Sequence, residues 1–110
     1  MANLLFLLFA GHALCDYPLQ GDFLSKGKNH RAPLLGVPWY QCLFAHALIH
    51  GGMVAWLTGV WWLGLAETVI HAAIDYGKCD LRYGFNVDQL FHFACKVAWW
   101  LIILIALHHS

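Results

Sequence analysis

Residues 3–23 read NLLFLLFAGHALCDYPLQGDF, an apolar run that passes without a break into His12 and Asp16, with Gln20 beyond them. His12, Asp16 and Gln20 are spaced by four. Residues four apart share one face of an α-helix, so the segment reads as a lipid-compatible helix carrying a single polar stripe. The stretch decides the fold because the same design recurs along the chain. His46 and His50 follow it, then Glu67, His71 and Asp75, and finally Asp88, Gln89, His92 and Lys96.

Composition agrees with a membrane setting. Of 110 residues, 61% are hydrophobic, 15% aromatic and only 11% charged, more apolar surface than a soluble domain of this size can bury. Four transmembrane helices are expected, at about residues 3–20, 37–58, 61–76 and 87–108 of a single domain covering 1–110. The fold class is therefore all-α, an integral membrane bundle of four spans. A cleaved secretory leader fits the first segment poorly, because no Lys or Arg precedes its apolar run.

The connections at 21–36 and 77–86 hold Lys26, Lys28, Arg31, Lys78 and Arg82, five of the six basic residues. A four-span chain places both on one side. The positive-inside rule makes that side the cytoplasm, with both termini outside. The turn near Gly59 is short and uncharged, and Trp56, Trp61 and Trp62 beside it fit an interfacial aromatic belt. Net charge is zero with neutral His and no polybasic block occurs, so nothing points to a nucleic-acid partner. Cys15, Cys42, Cys79 and Cys95 lack CxxC spacing and read as reduced packing residues.

One polar residue in a span is ordinary interhelical glue. Four stripes converging are a different matter, because each buried acid costs about 3 kcal/mol on insertion scales and calls for a partner. At about 1.5 Å per residue, Asp75 and Asp88 lie shallowest; His71, His92 and Asp16 sit deeper, and His12, His46, Glu67 and Lys96 deeper still. Turned inward, His12, Asp16, His46, His50, His71, Asp75, Asp88 and His92 are the candidate metal ligands around one cavity open to the cytoplasmic side. Imidazole and carboxylate without clustered thiolate suit zinc first, then manganese or iron, as one ion or two. FAHALIHG at 44–51 is not an HExxH motif, since Ala47 stands where the glutamate would be.

HALCDYPLQ, HALIH, HAAID and DQLFH together resemble the small membrane proteins grouped as the domain of unknown function 3307 family, found in bacteria and their phages. The likeness spans nearly the whole chain. Its motifs fall on His12, Asp16, Leu19 and Gln20, on His46 and His50, on His71 and Asp75, and on Asp88, Gln89 and His92. It implies the constellation and no reaction. A looser similarity is to membrane-bound metal-dependent hydrolases, at the level of His and Asp in short membrane helices.

The leading expectation is a metal-dependent hydrolase acting on a lipid or other membrane-associated substrate from the cytoplasmic side. Glu67 or Asp75 would accept a proton and Lys96 would pair with an acid or stabilise negative charge. Two other classes remain open: a metal-ion or proton transport component, and a structural subunit with a polar interhelical network. Membrane lipids are the expected partners, and a homo-oligomer is compatible with so short a bundle. The tail residues His108 and His109 are expected to be exposed and separate from the site, and Asp22 to lie solvated in the first loop.

Overall fold

The structure, a computed structural model, describes residues 2–107. It is all-helical: α1 Ala2–Asp16, α2 Gly21–Gly27, α3 Trp39–Thr58, α4 Trp61–Cys79 and α5 Phe85–Ile102, the last continuing into a π-helical turn at Ile103–Leu107. The four long helices fall on the four expected segments. Their ends differ: α1 stops at Asp16 instead of 20, and α4 runs on to Cys79 instead of 76. Pro18 follows the end of α1, where its ring and missing N–H disfavour continuation.

The first loop is the main departure. It contains α2, turned 82° from α1. Asp22 lies in the first turn of α2, exposed and 3.6 Å from Lys26 on the next turn. His108 and His109 lie outside the described residues.

Helices α3 and α4 form a tight hairpin. Gly59 closes it in the left-handed conformation at φ 72°, which a side chain would strain. Further up the hairpin the two backbones nearly touch: a Cβ on Gly64 would stand 2.6 Å from the Gly51 carbonyl oxygen. Close approach through small residues is how helices pack tightly without bulky apolar interdigitation.

Among the described residues, one helical stretch, Phe85–Ala106, is long and apolar enough by itself to cross a membrane. The bent pair Ala2–Asp16 and Gly21–Gly27 passes the same test only when joined. The polar stripes are what lower the hydropathy of the others, His46 and His50 in α3, and Glu67, His71, Asp75 and Lys78 in α4.

The interior inverts the usual arrangement of a small globule. Buried apolar side chains are few, with Leu8, Val54, Leu63 and Trp99 forming one cluster and Leu43, Ala47 and Ala72 another. His12, Asp16, Lys28, His46, His50, Glu67, His71, Asp75, Asp88, His92 and Lys96 are all buried. Phe6, Leu48, Trp56, Val69, Leu90 and Ile105 are instead more than 60% exposed.

Candidate metal centre

Each long helix contributes its stripe to one interior cluster. α1 supplies His12 and Asp16, α3 His46 and His50, α4 Glu67, His71 and Asp75, and α5 Asp88, His92 and Lys96. The i, i+4 spacing fixes this, because it keeps both members of a pair on the buried face.

At the centre, Asp16 Oδ1 lies 3.2 Å from His46 Nε2 and 3.1 Å from His50 Nε2. His46 Nε2 in turn lies 3.3 Å from His71 Nε2. Ligand atoms of Asp16, His46, His50 and His71 all fall within 4.8 Å of one another. A tetrahedral ion with ligands at about 2.0–2.1 Å has ligand-to-ligand edges of about 3.3 Å, which the three contacts among these atoms match.

A second grouping stands nearer the loops. His92 Nε2 is 3.0 Å from Asp75 Oδ1 and 3.4 Å from Asp88 Oδ1. Asp75 Oδ2 faces the first grouping, 3.4 Å from both His46 Nε2 and His71 Nε2. Asp75 thus bridges the two. The same oxygen accepts a 2.8 Å hydrogen bond from Lys28 Nζ, a contact between loop and bundle that the sequence did not disclose.

Glu67 lies on the inner side of the cluster. Its Oε1 accepts hydrogen bonds from Lys96 Nζ and, at 3.3 Å, from Trp99 Nε1. Its Oε2 is 3.4 Å from His71 Nδ1 and has no hydrogen-bond partner. The expected pairing of Lys96 with an acid is therefore found, with Glu67. Glu67 backs His71, as carboxylates that orient a ligating imidazole do. Glu67, His71 and His92 also form a compact ligand grouping.

His12 belongs to none of these groupings. Its Nε2 is 3.1 Å from Gln89 Oε1 and 3.4 Å from Asp16 Oδ2. Gln89 Nε2 donates to Asp16 Oδ2 at 2.9 Å and to Asp88 Oδ2 at 3.2 Å, tying α1 to α5 across the site. The sequence places Gln89 on the α5 stripe without marking it as a ligand, and marks Lys28 only as a loop cation. Gln20 is occupied locally, donating to the Asp16 carbonyl at 2.8 Å.

A cavity of about 190 Å³ opens above the second grouping, lined among others by Asp16, Lys28, Asp75, Lys78, Asp88 and Gln89. Lys78 lies in the last turn of α4, its Nζ 4.9 Å from the centre of the Phe85 ring. A clasp holds the loops around this mouth. Asp80 Oδ1 accepts from Arg31 Nε at 2.6 Å and lies 3.2 Å from His30 Nε2, while Asp80 Oδ2 accepts from Arg82 Nε at 3.0 Å. These donors lower the Asp80 carboxyl to about 2. His30 also stacks flat on Tyr76, ring centres 3.9 Å apart. The four cysteines are free, Cys15 and Cys42 buried and Cys79 and Cys95 half-buried. None joins the ligand groupings found among the described residues.

No curated protein and no solved structure matches the chain. The family model described as Protein of unknown function (DUF3307) matches residues 4–110, and the chain belongs to that family.

Proposed function

We propose that this is a membrane-embedded, metal-dependent hydrolase whose centre is a divalent ion, zinc by preference, held by Asp16, His46, His50 and His71. The observation that carries the reading is the mutual spacing of those four ligand atoms, 3.1–3.3 Å along three of their edges. Three imidazoles and one carboxylate are ligands typical of zinc.

The membrane part of the reading is supported by the inverted interior. Large apolar side chains face outward on all four long helices, among them Phe6, Leu48, Val69 and Leu90, while ionisable groups fill the inside. Such an exterior is stable against hydrocarbon and unfavourable against water. In this proposal all four long helices span the bilayer, the basic loops lie on the cytoplasmic side, and Trp56, Trp61 and Trp62 sit at the opposite interface.

The cavity lined by Asp75, Asp88, Lys28 and Lys78 supplies the route by which a polar group of a lipid or other membrane-associated substrate reaches the centre from the loop side. A metal lowers the pKa of bound water and polarises an ester, amide or phosphate oxygen. Asp75, whose Oδ2 lies between the ligand histidines and the cavity, would take up a proton released at the centre. Glu67 acts through His71, and Lys96 neutralises Glu67 in the dry interior.

The test is lipid hydrolysis in nanodiscs of bacterial lipid extract, followed by mass spectrometry with and without added zinc. The wild-type protein is expected to generate metal-dependent cleavage products, and His46→Ala to abolish them. A metal-loaded, folded wild-type protein that leaves every lipid class intact contradicts the hydrolase assignment.

A further inference from the structure

Among the described residues, Lys28 is the one buried side chain of the cluster that comes from a loop, being the residue that caps α2. Its placement is built in. A Cβ on the preceding Gly27 would stand 2.6 Å from Cys42 Sγ, so the glycine lets the end of α2 lie against α3 without displacing that side chain. The ammonium then reaches Asp75 Oδ2 at 2.8 Å, with 7% of the residue exposed.

Asp75, Asp88 and His92 around it make a compact three-ligand set. Asp88 is 2% exposed, yet its Oδ1 has no hydrogen-bond partner and lies 3.4 Å from His92 Nε2. A buried carboxylate oxygen left unsatisfied calls for an ion or a donor. Two carboxylates and one imidazole, open on one side to a polar cavity, suit a hard or borderline divalent cation such as manganese or zinc.

We propose that Asp75, Asp88 and His92 form a second divalent-cation site, and that Lys28 controls its occupancy by competing for Asp75. The inference rests on the Asp16–His46–His50–His71 centre as the first metal site. Charge balance favours Lys28 over a second ion in the resting protein. Among the described residues the buried charges are the carboxylates of Asp16, Glu67, Asp75 and Asp88 against the ammonium groups of Lys28 and Lys96, with five imidazoles counted as neutral. Two negative charges remain, which one divalent ion cancels. Two ions with Lys28 in place leave an excess of two positive charges in a low-dielectric interior, an arrangement strongly disfavoured by desolvation. Withdrawal of Lys28, for instance onto an anionic group entering the cavity, frees Asp75 for the second ion.

The experiment measures metal bound to the purified full-length chain after saturation with zinc and gel filtration. The wild type is expected to retain about one ion per chain, Lys28→Met about two, and Lys28→Met with Asp88→Asn about one again. Lys28→Arg keeps the positive charge and is expected to remain near one. Lys28→Met remaining at about one ion, or a wild type that holds about two, overturns the inference and leaves the first centre standing. Asp88→Asn in the wild-type background provides a check that needs no loss of Lys28: bound metal is expected to be unchanged, and its loss overturns the proposal. A wild type with no metal overturns the first centre as well.

Discussion

The Nε2 atoms of His46 and His71 face each other at 3.3 Å, and both stand 3.4 Å from Asp75 Oδ2. A proton on one of these nitrogens satisfies one contact at a time. In the proposed centre a cation held by the lone pairs of the two imidazoles, with those of Asp16 and His50, satisfies several together.

The backing of His71 by Glu67 is separable from ligation. Glu67→Gln keeps the shape and removes the charge behind His71 Nδ1, and metal affinity is expected to fall about 10- to 100-fold. Competition with a chromogenic chelator measures it. An unchanged affinity would leave Glu67 no part in orienting His71.

Removing one partner of the Lys96 and Glu67 pair leaves a buried charge uncompensated. Lys96→Met is expected to lower stability by about 3–5 kcal/mol, and adding Glu67→Leu to recover much of it. Denaturant unfolding of the two variants checks this. A double variant whose loss equals the sum of the separate Lys96→Met and Glu67→Leu losses would show that the pair is not coupled.

Neighbouring glycines on α3 are expected to respond with opposite signs. At Gly51 a Cβ would overlap Thr68 and meet the Gly64 carbonyl oxygen at 2.6 Å, whereas at Gly52 it meets nothing within 4 Å. Gly52→Ala is expected to stabilise by up to about 1 kcal/mol through helix propensity. Gly51→Ala is expected to destabilise, because the α3 and α4 backbones must move apart. Thermal unfolding of both variants compares them directly, and similar shifts would contradict the close approach.

The Asp80 clasp carries an acid-side pH dependence. Its carboxyl is depressed from 3.8 to about 2 by Arg31, Arg82 and His30. A depressed carboxyl contributes stability that is fully present above the unfolded value and is lost as pH falls through the folded value. Hydrogen exchange of the 28–38 loop is therefore expected to quicken between about pH 4 and pH 2 relative to Asp80→Asn. Parallel profiles for the two proteins would rule the clasp out as the cause.

The helices and the inward stripes were legible because both depend on local spacing. His12 with Asp16, His46 with His50, His71 with Asp75 and Asp88 with His92 are each four apart, and that alone puts each pair on one face. Which atoms meet across helices was not legible. It depends on helix rotation and relative height, which the Gly51 and Gly64 approach and the Gln89 bridge from Asp16 to Asp88 help to set. For this reason His12, equal to the others in sequence, stands beside the ligand groupings. Lys28 was hidden for another reason: α2 is a short helix of seven residues, and its last residue, Gly27, lies against Cys42 of α3 through tertiary packing. Nothing in a Gly-Lys dipeptide within a polar loop announces a buried ammonium.

X-ray absorption spectroscopy of the zinc-loaded full-length protein tests the central claim most directly. The account predicts a first shell of nitrogen and oxygen at about 2.0–2.1 Å, with the multiple scattering of about three imidazoles, weakened in His46→Ala and in His50→Ala. A shell containing sulfur at about 2.3 Å, or a spectrum unchanged by both substitutions, would contradict it.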